Sequence, residues 1–218
     1  MNLNRTVGIL LGKGDKWLYG IYAREYVETM RKKNSKVKAK TLRDFFVDIV
    51  SHQYCNLIQR VEKLPEGESI EGTIIHLQGG EIIEIVSQET ETGHQNLLAM
   101  HRGAVEVTED ESVKGFTFTL YKTEMGNRLS NLLIIGETAI QTEEPSLVQT
   151  IFTRPEIRNY LTKEIASICI EGTAYFRDNE SKPSPNRGVY FSLWPARIPN
   201  RQICERIVEL CQTIFSIL

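Results

Sequence analysis

The residues of this chain best suited to chemistry lie between Gly115 and Phe152. Arg128 closes the polar run Glu124-Met125-Gly126-Asn127-Arg128, and Glu144 and Ser146 flank Pro145 where a helical pattern begins. A guanidinium offers a planar fork of donors that matches phosphate or carboxylate oxygens. A carboxylate and a hydroxyl at a helix start suit the edge of a nucleobase. Nearer the N-terminus, Tyr19, Tyr22 and Tyr26 recur at helical spacing. Such a stripe suits either a core-facing helix or a platform on which bases stack, an interaction that contributes about 1–3 kcal/mol per base. These groups hold a flat anionic ligand rather than break bonds, so the chain reads as a binder more than an enzyme.

Rival constellations are less complete. Asp44, Asp48, His52 and Cys55 are spaced to share one face of a helix, and carry oxygen, nitrogen and sulfur donors suited to a metal. They fall opposite the apolar stripe, where a solvated polar face belongs in any case. Gly8 to Gly14 has too few residues between Gly8 and Lys13 for a phosphate loop, and Gly14 stands where a magnesium-binding hydroxyl is needed. Asp178, Glu180 and Lys182 match the carboxylates and lysine of a metal-dependent nuclease. Their neighbours Pro183, Ser184, Pro185 and Asn186 belong to a surface loop. His76, His94 and His101 accompany no nucleophile elbow. The site thus calls for no metal or other cofactor.

The positioning elements follow from periodicity. Residues 17–33 read as an aromatic helix, and Leu42, Phe45, Phe46, Ile49, Val50, Leu57, Ile58 and Val61 predict a long second helix opened by a Thr41–Asp44 capping box and ended at Pro65-Glu66-Gly67. Ile70–Leu77 and Glu81–Ser87 predict a hairpin turning at Gly79-Gly80, followed by a polar loop over 88–101. A strand or a packed N-terminal arm is expected at 7–11, and a short strand at 104–108. Phe116, Phe118 and Leu120 alternate with Thr117, Thr119 and Tyr121 as in a half-buried strand, and Leu129–Ile135 reads as its return across a hairpin tipped by Arg128. A helix follows at Pro145–Phe152.

Residues 154–176 fit both periods. The favoured reading is a helix from Pro155 to at least Ile168, against period two from Ala166 to Phe176. A loop over 178–188, a strand over 189–194 and a helix from Pro199-Asn200 carrying Ile203, Ile207, Leu210, Cys211, Ile214 and Leu218 on one face complete the chain. The expected fold is a single α+β domain over 1–218. It has a mostly antiparallel or mixed central sheet, a long N-terminal helix pair and a C-terminal helix.

Composition narrows the partners. Of 218 residues, 41% are apolar and 25% charged, and the net charge is -2, so a general nucleic-acid surface is excluded and any anion must meet a local patch. Four cysteines without Cys-x-x-Cys spacing read as reduced thiols. The apolar run Val7–Leu11 is too short for a signal sequence or membrane span, so a soluble cytoplasmic chain is expected.

In order and in residue type the chain resembles the cyclic-dinucleotide receptor domain of the STING family. The matching pieces are Leu18-Tyr19-Gly20-Ile21-Tyr22-Ala23-Arg24-Glu25-Tyr26, the Glu124–Arg128 run, the apolar strand, Glu144-Pro145-Ser146-Leu147-Val148-Gln149-Thr150-Ile151, and a final helix, strand and helix. The resemblance covers about half the chain, leaves 34–113 unmatched, and has serine where the family's turn usually has threonine. It implies that Tyr22 or Tyr26 stacks on a base, that Arg128 on a lid meets the phosphates or a base edge, and that Glu144 and Ser146 bond the base. It further implies a two-fold ligand in the cleft of a homodimer or higher oligomer, serving immune or antiviral signalling. The competing classes are a metal-dependent hydrolase or nuclease and a protein-interaction module docking through the apolar C-terminal helix.

Overall fold

The structure, a computed structural model, describes residues 42–64, 70–90, 93–102, 113–124, 132–168, 170–177, 187–193 and 200–218. Its elements are α1 (Leu42–Gln53), β1 (Ile58–Lys63), β2 (Ile70–Leu77), β3 (Glu81–Thr90), β4 (Gly93–Arg102), β5 (Val113–Lys122), β6 (Leu132–Ile135), β7 (Thr138–Gln141), α2 (Pro145–Phe152), α3 (Pro155–Arg158), α4 (Lys163–Ala166), β8 (Ile170–Arg177), β9 (Arg187–Leu193) and α5 (Arg201–Ile217). The strands form one nine-stranded sheet in the order β1-β2-β3-β4-β9-β8-β5-β7-β6. Every neighbouring pair is antiparallel.

Alternation of side chains decides which face is covered. Ile75 and Leu77 of β2, Ile83 and Ile85 of β3, Leu98 and Met100 of β4, Val189, Phe191 and Leu193 of β9, and Phe116, Phe118 and Leu120 of β5 are all buried. Register lines them up on one side of the sheet, Leu98 opposite Phe191 and Leu120 opposite Ile170. Helix α5 closes this side, packing on β4, β9 and α1. Its Cys204, Ile207, Val208, Leu210, Cys211, Ile214 and Phe215 are buried, on the stripe expected from spacing. Asn200 starts the helix as an N-cap, its side chain accepting from the Ile203 N–H at 3.0 Å.

The α+β class, the antiparallel sheet and the C-terminal helix agree with expectation, as do the β2–β3 hairpin and α2. Other boundaries differ. The helix expected to reach Val61 stops at Gln53, and Ile58–Lys63 is an edge strand paired with β2. Its residues suit either period, and Val61 is exposed rather than buried on a helical stripe. Of residues 88–101, expected as a polar loop, 88–90 end β3 and 93–101 belong to β4, an interior strand between β3 and β9. The helix expected from Pro155 to Ile168 is two short helices broken at Asn159–Thr162, and the period-two pattern beyond Ile168 is β8. The helix at 17–33, the strand or arm at 7–11, the strand at 104–108, and Thr41 of the capping box lie outside the described residues. So does one member of the N-terminal helix pair, and the other spans 12 residues. No helix among the described residues is long and apolar enough to cross a membrane.

Candidate functional site

Glu144 and Ser146 open α2, and the turn that carries them is tied to the sheet. Thr142, buried, donates from Oγ1 to the Thr117 carbonyl of β5 at 2.7 Å, and the same oxygen accepts from the Glu144 N–H at 3.0 Å. Helix α2 in turn buries Val148, Ile151 and Phe152. Phe152 meets Phe118 of β5 edge-on at 4.9 Å between centroids. A rigid strand and a packed helix therefore fix the backbone beneath Glu144 and Ser146. Both side chains are exposed, and Glu144, at the N-cap position, makes no side-chain cap bond. The first turn of α2, which opens on Pro145, therefore receives no side-chain cap from Glu144.

The strand preceding this turn corrects the expected hairpin. β5 and β6 are not neighbours, because β7 lies between them and pairs with both. Since each pairing is antiparallel, β5 and β6 run in the same direction. A tight hairpin cannot join them. The tight turn is instead at Gly136-Glu137, between β6 and β7. Arg128 falls in the sequence between β5 and β6 and lies outside the described residues. Tyr19, Tyr22 and Tyr26 also lie outside them, as do Gly8 to Gly14, Asp178, Glu180 and Lys182.

The metal-like face on α1 is less continuous than its spacing suggests. Asp44, Asp48 and His52 are on the helix, but Cys55 lies past its end at Gln53, in the turn into β1. Among the described residues no group of three or more His, Cys, Asp and Glu is placed to hold a metal ion. His76 of β2 is half-buried at the sheet margin, its Nε2 3.2 Å from an Arg60 terminal nitrogen and 3.5 Å from Glu62.

A polar ladder on the sheet face away from α5 was not legible from spacing. Glu84 of β3 and His101 of β4 meet at 3.0 Å through Nε2. The His101 ring stacks on Tyr190 of β9 with centroids 6.0 Å apart, and Tyr190 stacks on Tyr175 of β8 at 5.7 Å. The two tyrosine hydroxyls are 3.3 Å apart. The ladder runs diagonally across register, with Gly188 opposite both His101 and Tyr175. A Cβ on residue 188 would collide with the Tyr175 hydroxyl and with His101 Cβ, so glycine is what allows the rings to close over the strand. His101 is only 2% exposed. Its hydrogen bond holds the Glu84 carboxyl below its ordinary range, while burial pushes both tyrosine hydroxyls up and keeps them protonated. A mutually bonded set of this kind, with the Glu84 carboxylate at one end and two protonated tyrosine hydroxyls at the other, stabilises this sheet face. The signal missed was pairing, since the four residues come from four strands.

No protein-family model, curated protein or solved structure matches this chain.

Proposed function

We propose that this chain is a non-catalytic receptor for a cyclic nucleotide of the cyclic-dinucleotide class, taken up in the cleft of a homodimer. What supports the reading is the opening of α2, where Glu144 and Ser146 stand exposed and uncapped on a turn anchored to β5 through Thr142. A receptor needs such preorganised groups, because ordering them on binding would consume affinity. Glu144 accepts from the base edge and Ser146 completes the contact. Arg128, on the connection from β5 to β6, meets the phosphates as a charged fork, and Tyr22 or Tyr26 stacks on the base. Each half of a two-fold ligand would meet one copy of this set.

Titration calorimetry with cyclic di- and trinucleotides tests this directly. Saturable binding is expected, with Glu144→Ala and Ser146→Ala weakening it and Arg128→Ala weakening it further. Absence of binding across the panel sinks the receptor reading. Binding that is unchanged in all three variants keeps the class but removes the site from α2.

A further inference from the structure

At the end of the sheet where β3 begins and β4 ends, on the side covered by α5, two arginines oppose each other. Arg102 and Arg187 are register partners on β4 and β9. That pairing holds their Cβ atoms about 5 Å apart, and like charges so placed repel unless an anion lies between them. Glu81 of β3 neutralises one of them, accepting from Arg102 Nε at 3.1 Å and from a terminal nitrogen of the same guanidinium. Arg187 has no carboxylate partner among the described residues. Its guanidinium rests instead on the Phe215 ring of α5, 4.6 Å from the centroid. Its Nε is buried and makes no hydrogen bond among the described residues.

Two cations thus share one anion, and the shielded Nε donor of a half-buried guanidinium is left unspent. A buried unsatisfied donor beside a second guanidinium is a cost that folds rarely retain without a ligand to offset it. Burial and the neighbouring Arg102 disfavour the charged form of Arg187, and the more distant Glu81 offsets them only in part. The site is nonetheless reachable, since Arg102 keeps about a third of its side chain exposed.

We propose that Arg187 and Arg102, backed by Phe215, form an oxyanion site that takes a phosphoryl group of a phosphate ester or diphosphate. Planar forks on adjacent strands can each give two donors to one phosphoryl group. The aromatic ring holds Arg187 in place without taking any of its N–H donors, as a carboxylate would. Neither Glu144 nor Ser146 takes part, so the site stands whether or not the receptor reading does.

The test uses the full chain with sodium pyrophosphate and orthophosphate, against sodium chloride at equal ionic strength. The expected result is a saturable rise in melting temperature with pyrophosphate and a concerted movement of the Arg187 Nε–H resonance in nitrogen-15 spectra. Arg187→Gln should weaken pyrophosphate about tenfold or more. Arg187→Lys, which keeps the charge but loses the fork, should weaken it as well. No saturable change in the wild-type protein overturns the proposal, and so does equal affinity in Arg187→Gln. Because the resonance is read on the wild-type chain, a variant that fails to fold does not decide the outcome. Loss of cyclic-nucleotide binding with pyrophosphate binding intact would reject the receptor reading alone.

Discussion

The ring of Phe118 on β5 occupies the space that a side chain on residue 172 of β8 would need. Their strands pair in register, Phe118 opposite Gly172, so the outer edge of the ring sits over the neighbouring backbone. From there it reaches Phe152 of α2 and Phe191 of β9, both edge-on, at 4.9 and 5.9 Å. One aromatic side chain thus ties the α2 turn that carries Glu144 to the middle of the sheet.

Gly172→Ala is expected to destabilise the protein by about 1–3 kcal/mol, because the added methyl overpacks a ring that is itself held by its neighbours. Urea denaturation measures it. Adding Phe118→Leu should recover part of the loss, and strictly additive effects would mean that the two side chains do not compete for this space.

Acid should weaken the fold through Glu84. The hydrogen bond from His101 holds this carboxyl below its ordinary value of 4.5. A depressed carboxyl contributes stability that is fully present above its unfolded value and is lost as pH falls through the lower folded value. Urea midpoints compared at about pH 6 and about pH 3 should therefore drop less in Glu84→Gln than in the wild type. Equal drops would show that the pairing carries no net stability.

Helix α5 depends on its first hydrogen bond. Asn200→Ala should cost about 0.5–2 kcal/mol, since the Ile203 N–H loses its acceptor, and Asn200→Asp should restore most of it. Thermal unfolding of the three proteins checks the order.

The cysteines should separate by reactivity. Cys55 is exposed, whereas Cys204 and Cys211 are buried, and desolvation pushes the Cys204 thiol up to about 12. Site-resolved mass spectrometry after brief alkylation is expected to find Cys55 modified in the native protein, and Cys204 and Cys211 only after denaturant is added. Early labelling of either helix cysteine would mean that α5 opens from the sheet.

How much was legible depended on whether a segment's partner was close in sequence. The β2–β3 hairpin, α2 and α5 carry their own signals: a Gly79-Gly80 turn, Pro145 at a first turn, and Asn200 before a 3.6-residue stripe. Residues 58–63 and 88–101 do not. Their side chains suit more than one conformation, and hydrogen bonds from β2, β3 and β9 make them strands. Of the candidate site, Glu144 and Ser146 stood out because a carboxylate and a hydroxyl bracket a helix-starting proline. The hairpin assigned to Arg128 failed because nothing local says that Thr138–Gln141 inserts between β5 and β6.

The amino-acid sequence by itself determined the α+β fold class, the apolar stripe of α5, the starts of α2 and α5 and the absence of a global charge for nucleic acid. Only the tertiary structure decided which strands are neighbours. With that came every feature built from distant residues: the Glu84–His101–Tyr190–Tyr175 ladder, the Phe118 ring over Gly172, and Arg187 facing Arg102 above Phe215. The reason is physical. Periodicity is written by contacts within one element, while pairing order is settled by the summed burial and hydrogen bonding of nine strands at once.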